Sequence, residues 1–227
     1  ARLHLALSSR VDPPLPLARL RTRGQLNEIR AADLRFTSPE AAAFLNQKMG
    51  LDLSPEEVSA LEARTEGWIS GLHLAALSLR SHASERRSAF VAAFSGSHRH
   101  VIDYLAEEVL AQQPPEVHDF LYQTAILDRL TAPLCEAVTG RRESQALLRR
   151  LDQENLFLVP LDDERRWYRY HHLFGEFLRD DVAQRSADWL PDAHRRAAEW
   201  YERAGLWPQA VGHALAAGDR ERAAGLI

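Results

Sequence analysis

The feature that most constrains the fold is the stretch of residues 155–180, NLFLVPLDDERRWYRYHHLFGEFLRD, which joins two strand patterns to a helix pattern. An apolar run at residues 156–159 and an aromatic run at residues 167–170 are typical of strands, and the acidic residues 162–164 between them favour a tight turn. Apolar residues then recur at helical spacing, namely Leu173, Phe174, Phe177 and Leu178. Because three helical patterns precede this hairpin, the sequence predicts a winged-helix domain.

Most of the remaining chain also carries helix signals. Thr37 with Glu40, and Ser54 with Glu57, have the spacing of capping boxes, and Pro55 stands at a first helical position. These signals predict helices at residues 38–48 and 55–65. Further helices are predicted at residues 66–80, 115–124, 132–139 and 143–154, together with a helical pair around residues 90–113 that is broken at Ser95, Gly96 and Ser97.

Two short strands are predicted near the start of the chain, at residues 3–8 and 26–29. The prolines of residues 12–16 prevent regular ladder hydrogen bonding beyond the first of them. Arg10 follows that strand, and the carboxyl ends of strands in open α/β sheets are where ligands bind. Its planar guanidinium suits phosphate, although a surface arginine at the start of a loop is the alternative.

The last part of the chain has the pattern of paired helices. After a linker around residues 185–191, small and large apolar residues alternate along residues 193–227, with glycine at each turn. This pattern is typical of a tetratricopeptide-like (TPR-like) solenoid. The chain starts with Ala1 rather than Met and ends within a helical pattern, so we expect it to be an internal segment of a longer protein.

Composition excludes several classes of protein. The formal net charge of −4 gives no general case for nucleic-acid binding, and the predicted helix at residues 143–154 balances its arginines with acidic residues. The single cysteine, Cys135, fits a reducing compartment, and no apolar run approaches the ~18 residues of a membrane span. We therefore expect a cytoplasmic protein that does not contact membranes.

No catalytic or metal-binding pattern is found in the sequence. His98 and His100 are two residues apart and would face apart on a helix, so no metal site is predicted. The sequence contains no Gly-x-Ser-x-Gly motif, no Gly-x-x-x-x-Gly-Lys-Ser/Thr phosphate loop (Walker A) and no strand ending in paired acidic residues (Walker B). The chain by itself is therefore expected to have no catalytic residues and no ATPase activity.

Six motifs in a fixed order carry a resemblance to a known family: SSR, DPPLPLARLRTRGQL, EGWISGL, FSGSHR, NLFLVPLDDERRWYRYHHLF and HALAAGD. The chain resembles the MalT-like, LuxR-family large ATP-binding regulators of bacteria, which belong to the STAND class of nucleotide switches. The resemblance implies a mainly α chain in four parts. These are the end of an α/β P-loop nucleotide-binding sheet (1–36), a helical lid (37–112), a winged-helix domain (113–185) and the start of a TPR-like solenoid (190–227).

The resemblance also implies five nucleotide-binding residues. His171 falls at the position of the family's Met-His-Asp-type histidine, which contacts the phosphates of bound ADP. Arg10 matches an arginine that senses the γ-phosphate of ATP. Gly67, Trp68 and Gly71 match the start of the lid that lies against adenine, although Ile69 or Ser70 stands where the family often has proline. The alternative for Gly71 is that it only permits close packing of two helices.

The function implied by the resemblance is that of a signal-responsive, ATP-dependent regulator of transcription. Its ligands would be ADP and ATP with Mg²⁺, and an inducer or regulatory protein would bind the solenoid. The ATP state would self-associate, and DNA would be bound only through a separate helix-turn-helix module that this chain lacks. Two alternatives stay open from the sequence: the regulatory region of a STAND-type serine/threonine kinase, and a helical interaction scaffold that binds no nucleotide.

Overall fold

Helices make up most of the computed structural model. The model describes residues 5–9, 12–80, 84–185 and 188–227, and it describes only the backbone of residues 84–86. The helical region, residues 17–112, begins with an exposed short helix, α1. Its elements are α1 (Leu17–Thr22), a 3-10 turn (Ala31–Leu34), α2 (Ser38–Ala42, continued as a π-helix at Ala43–Lys48), α3 (Pro55–Thr65), α4 (Ile69–Arg80), α5 (Ser84–Ala93) and α6 (Arg99–Tyr104, continued through Leu105–Val109 and Leu110–Gln112).

Both predicted capping boxes form. The Thr37 backbone N–H donates to Glu40 Oε2 at 2.9 Å, and the Ser54 N–H donates to Glu57 Oε2 at 2.9 Å. Pro55 is the first residue of α3, as predicted. Each box satisfies N–H groups that the first turn of a helix leaves without intrahelical partners. Helix α3 therefore has the predicted bounds, and the predicted break between α5 and α6 is confirmed at residues 94–98.

Two predictions for the first 80 residues are wrong. Of the strand predicted at residues 3–8, residues 3 and 4 lie outside the described residues. Residues 5–8 and 26–29 are not strands, because in the described part of the chain no partner strand pairs with them. Leu5 and Ile29 are accordingly 72% and 69% exposed. The predicted helix at residues 66–80 begins instead at Ile69, because residues 66 and 67 have positive φ angles. The end of a nucleotide-binding sheet therefore remains a prediction, and Arg10 lies outside the described residues.

Three helices, a hairpin and a fourth helix follow in the order predicted for a winged helix. They are α7 (Pro115–Thr124), α8 (Ala132–Thr139), α9 (Ser144–Gln153), β1 (Leu158–Pro160), β2 (Tyr168–Tyr170) and α10 (His172–Gln184). The strands are antiparallel, with Leu158 opposite Tyr170 and Pro160 opposite Tyr168. Tyr168 also exchanges two backbone hydrogen bonds with Leu130, at 2.7 and 2.9 Å, so the segment between α7 and α8 borders the sheet.

Three further helices end the described chain: α11 (Leu190–Arg203), α12 (Trp207–Ala216) and α13 (Arg220–Gly225). Buried alanines, among them Ala197, Ala210 and Ala214, let α11 and α12 approach closely. One helical pair cannot establish a repeat, so the TPR-like solenoid remains a prediction. None of the helices in the described ranges is both long and apolar enough to cross a bilayer.

The helical region and the hairpin-bearing part share one apolar core. Buried side chains of α3, α4 and α6 belong to the same cluster as those of α7–α10 and part of α11. Gly96 lies directly against α10. A Cβ atom on Gly96 would lie 1.9 Å from the Leu173 carbonyl oxygen, and the Gly96 N–H donates to Glu176 Oε2 at 2.7 Å. Since no side chain fits there, Gly96 allows the two parts to meet backbone to backbone.

Candidate functional site

The turn between α3 and α4 is the first half of the candidate site. Glu66 and Gly67 have φ angles of +51° and +69°, which end α3 and redirect the chain. The Gly67 carbonyl accepts a hydrogen bond from Phe36 N–H at 2.8 Å, and a Cβ atom on Gly67 would lie 2.5 Å from the Phe36 oxygen. Both the left-handed backbone and this contact require glycine at position 67.

The second half is the end of the hairpin, and a buried carboxylate joins the two. Arg169 on β2 donates from Nη1 to Glu66 Oε1 at 2.7 Å and from Nη2 to Oε2 at 2.9 Å. The backbone N–H of His172, at the start of α10, donates to Glu66 Oε1 at 3.0 Å. The Glu66 side chain is only 8% exposed. We call the set of residues 65–68 and 169–172 the junction.

The charge of Glu66 is retained in spite of its burial. Burial alone would raise the pKa of this carboxyl group. Hydrogen bonds from Arg169, the positive charge of His171 when protonated and the His172 N–H outweigh burial and lower the pKa to about 2. Arg35 Nη1 lies 3.5 Å from Glu66 Oε2, and His172 Nδ1 lies 3.6 Å from Oε1. At neutral pH the junction therefore contains an ion pair whose carboxylate is almost completely buried.

His171 stands between the two groups that bind Glu66. Its side chain is buried, and Nε2 lies 2.8 Å from the Thr65 carbonyl oxygen, so Nε2 carries the proton that is donated. The other ring nitrogen, Nδ1, is buried and has no hydrogen-bond partner among the described residues. Burial lowers the pKa of His171, although Glu66 opposes the shift. The ring is therefore neutral at neutral pH and has one unused acceptor.

Aromatic side chains enclose this histidine. The Trp68 ring centroid lies 6.0 Å from that of His171, 5.0 Å from Phe157 and 5.5 Å from Tyr104. Phe157 also meets His171 edge-on, at 5.8 Å. Phe157 has a φ angle of +53°, a conformation that is uncommon for a bulky residue and is found mainly where the surrounding structure holds it. The ring of His171 is thus held in one position by its neighbours.

Gly71 belongs to the same region for a steric reason. A Cβ atom there would lie 2.8 Å from Trp68 Cε3 and 3.1 Å from Thr65 Cγ2. The missing side chain therefore makes room both for the Trp68 ring and for Thr65 at the end of α3, so close packing of α3 on α4 stays open as the alternative role of Gly71. The structure brings four of the five predicted residues together, namely Gly67, Trp68, Gly71 and His171.

Sequence reasoning missed the residues that hold these four in place. Glu66 and Arg169 are 103 positions apart, and Thr65 and His171 are 106 apart, so no local spacing relates them. The only available signal was that both partners stand inside motifs already noted, EGWISGL and RRWYRYHHLF. The acidic Glu66 stands next to Gly67, and the basic Arg169 stands two positions before His171. These two opposite charges, each near a predicted site residue, are the sequence signal for the pair.

A second polar surface lies between α9 and the hairpin turn. It is a cavity of about 310 Å³ lined by Gln145, Arg149, Asp152, Gln153, Glu164, Arg165, Arg166 and Tyr168. Arg165 pairs with Asp152 at 2.6 Å, and Arg166 pairs with Glu164 at 2.9 Å. Because acidic partners offset most of its positive charge, this face gives little support for phosphate-backbone binding.

Comparison with known proteins supports the winged-helix assignment and relates the whole chain to two kinds of protein. Residues 106–190 match the model of the MalT winged helix domain. The chain is 38% identical over 222 residues, 96% of its length, to the HTH-type transcriptional regulator MalT of Cronobacter sakazakii. It is 36% identical over 225 residues, 99% of its length, to the serine/threonine-protein kinase PknK of Mycobacterium tuberculosis and of Mycobacterium bovis.

These relatives are much longer than the chain. The matched region spans 20% of the kinase PknK and 24% of the regulator MalT. The shared stretch contains the α3–α4 turn, the hairpin and the first helices after it. Residues 106–190 thus match the MalT winged helix domain, and the chain as a whole is MalT-like.

Proposed function

We propose that this chain forms the lid and winged-helix parts of an ATP-dependent switch in a transcriptional regulator. The observation that carries the proposal is the meeting of Gly67, Trp68 and Gly71 with His171 at the junction. These residues come from two segments about 100 positions apart, and the resemblance to the regulator family assigns all of them to a nucleotide. One relative, MalT of Cronobacter sakazakii, is an HTH-type transcriptional regulator, which agrees with this role.

The residues at the junction have the chemistry to hold a nucleotide from one side. Trp68 offers a flat ring near the backbone of Gly67 and Gly71, a combination suited to an adenine base. His171 can donate to a phosphate oxygen in either of two ways. It can release the Thr65 carbonyl and use Nε2–H, or it can take up a proton on Nδ1, which has no partner in the described structure. In both cases binding of phosphate by His171 changes the junction, either by breaking the hydrogen bond to Thr65 or by adding a proton to the ring.

A change of this kind is what a switch requires. A ligand shifts a conformational equilibrium only if it binds the two states with different affinity. In the proposed mechanism ADP favours the state in which the lid is packed on the winged helix, and ATP with Mg²⁺ favours an open, self-associating state. Arg10 would sense the γ-phosphate. An inducer or regulatory protein on the helices that follow residue 190 would promote opening, and a helix-turn-helix module elsewhere would bind DNA.

The 36% identity to a serine/threonine-protein kinase favours one alternative, in which the same switch regulates a kinase. A scaffold that binds no nucleotide is the other. The reading frame that contains the chain distinguishes the three functions. A phosphate loop upstream with a helix-turn-helix downstream supports the regulator, a kinase domain upstream of the phosphate loop supports the kinase, and a missing phosphate loop supports the scaffold.

The direct test is the substitution His171→Ala in the full-length protein. If His171 holds ADP, the off-rate of a fluorescent ADP analogue rises, and basal transcription from a target promoter rises with it. His73→Ala is the control, because His73 is an exposed histidine on α4 whose loss should change neither quantity. An ADP off-rate that is the same in wild type and His171→Ala contradicts the assignment of His171.

A further inference from the structure

We propose that Glu66 is the positioning residue of this site, because it binds the chain on both sides of His171 and thereby fixes where the imidazole lies. The role of the imidazole toward a nucleotide rests on the proposed function above, whereas the positioning itself does not. Nothing in the sequence motifs assigns a role to Glu66.

The first argument is the placement of the hydrogen bonds. Two of them reach Glu66 from Arg169, two residues before His171, and one reaches it from the backbone of His172, the residue after it. Arg169 Nη1 also donates to the Tyr170 carbonyl at 3.1 Å. A single carboxylate therefore holds the backbone at positions 169–172 from one point. A bidentate guanidinium–carboxylate pair fixes orientation as well as distance.

The second argument is that the point of attachment is itself rigid. Glu66 has a left-handed backbone conformation, and the next residue, Gly67, is bonded to Phe36 and closely packed on it. The preceding residue, Thr65, presents the carbonyl that accepts from His171 Nε2. Thr65 and Glu66 therefore hold the histidine ring and its flanking backbone with two adjacent groups of one turn.

The third argument is electrostatic. A carboxylate that is 8% exposed cannot lose its partners and stay buried without a large cost in free energy. The charged and titratable groups that face it are Arg169, Arg35, His171 and His172. Separating the α3–α4 turn from the hairpin therefore breaks the Arg169 bonds, the His172 bond and the Thr65–His171 bond together. Glu66 makes release of His171 and opening of the junction a single event.

The test uses the variant Glu66→Gln in the 227-residue chain and two measurements. Hydrogen exchange at the start of α10 should become about tenfold faster, the effect expected for loss of a charged hydrogen bond. The pKa of His171, followed by NMR titration of its ring protons, should fall below the wild-type value, because the negative charge of Glu66 favours the protonated ring. Loss of packing alone would instead expose the ring and raise its pKa toward the ordinary value, because burial is the main cause that lowers it.

Glu176→Gln is the matched control. Glu176 is also a carboxylate on the contact between the helical region and α10, where it accepts from the Gly96 N–H. Its loss should speed exchange at Gly96 and leave the pKa of His171 unchanged. If Glu66→Gln does not fold, Arg169→Lys serves instead, because lysine keeps the positive charge but cannot make the two parallel hydrogen bonds. The hydrogen-exchange rate at the start of α10 should then lie between the wild-type rate and about ten times that rate.

The possible outcomes are distinct. Unchanged exchange at α10 and an unchanged His171 pKa in the folded Glu66 variant would overturn the proposal, and so would an equal fall of the His171 pKa in Glu176→Gln. Both measurements are made without nucleotide. If the full-length protein binds no ADP, the proposed switch is wrong but these two measurements still decide the role of Glu66. If ADP binds, Glu66→Gln should release it faster, as His171→Ala does.

Discussion

At the scale of single residues, the most informative feature is the coexistence at the junction of a buried ion pair and a buried neutral histidine. Proteins retain buried charges only where partners compensate their desolvation, and Glu66 has three hydrogen bonds that do so. His171 is held differently, by one carbonyl and by aromatic faces, and its Nδ1 is left unsatisfied. Burying Nδ1 without a hydrogen bond costs free energy, and a histidine with a purely structural role would not need to carry that cost.

The protonation of His171 gives a prediction about pH. Because burial lowers the pKa of His171 in the folded state, the unfolded chain takes up the proton first. The stability that neutral His171 contributes is present above its ordinary pKa of about 6.5 and is lost as the pH falls through that value toward the lowered pKa. Between pH 7.5 and 5.5, urea unfolding should therefore show a larger loss of stability for wild type than for His171→Gln.

Comparing wild type with His171→Gln removes the contributions of other titrating groups to the pH dependence of stability. His194 and His213 also have lowered pKa values, but they are present in both proteins and cancel. Glu66 acts in a separate range, since its pKa of about 2 means that its contribution is lost between about pH 4.5 and pH 2. A difference between wild type and His171→Gln that is the same at both pH values would contradict the prediction.

At the scale of elements, the connection between α5 and α6 determines how closely the helical region approaches α10. Its central residue, Gly96, has no space for a methyl group next to the Leu173 carbonyl. We expect Gly96→Ala to lower the free energy of unfolding by about 1–3 kcal/mol, the usual cost of overpacking, and to speed hydrogen exchange along one side of α10. Thermal unfolding followed by circular dichroism measures the first effect.

Gly212→Ala is the control for that substitution. Gly212 lies inside α12, and a Cβ atom there would meet nothing within 4 Å. Alanine should therefore stabilise the helix by about 0.5–1 kcal/mol, the normal preference for alanine over glycine in a helix interior. Equal stability of the Gly96→Ala variant and wild type would mean that the loop and α10 can move apart with little loss of free energy.

Elements differ in how well the sequence predicts them, and the reasons are local. Helix α3 was predicted residue for residue, because Ser54, Pro55 and Glu57 act within one turn of its start. The start of α4 was wrong by three residues, because nothing in the local pattern shows that Glu66, which is not glycine, adopts a left-handed conformation. The strand predicted at residues 26–29 was wrong because a strand depends on a partner, which the described chain does not supply.

The candidate site shows the same division. Motifs pointed to Gly67, Trp68, Gly71 and His171 because each stands in a recognisable short pattern. The bond between Glu66 and Arg169 was not predictable, because it joins positions 103 apart and depends on the docking of the hairpin against the α3–α4 turn. Site residues that stand in short local motifs can be predicted from one sequence, whereas the pairing of charges far apart in the chain depends on how whole elements pack together.

At the scale of the whole molecule, one apolar core extends from the helical region through the winged helix to α11. Phe174 is a fully buried member of this core, with its ring 5.2 Å from Phe157 and 5.7 Å from Tyr170. We expect Phe174→Ala to lower the free energy of unfolding by about 3–5 kcal/mol, and to do so equally for probes in the helical region and in the winged helix. Residue-resolved hydrogen exchange measures both parts at once.

The matched control for this prediction is Leu77→Ala. Leu77 is 43% exposed on α4, so its truncation should change stability by no more than about 0.5 kcal/mol. Destabilisation of the winged helix by Phe174→Ala, with the helical region unaffected, would show that the two parts unfold independently in spite of their shared core.

The backbone contact at Gly96 has a consequence for how such proteins are assembled from parts. Where Gly96 rests on the Leu173 carbonyl, one main chain meets another, and no side chain at this point could adapt to a different neighbour. A helical region taken from another protein would need a glycine at the position of Gly96 to pack on this winged helix in the same way. The two parts are thus matched to each other at this point, and a kinase and a transcriptional regulator each match this chain across both parts, over 96% or more of its length.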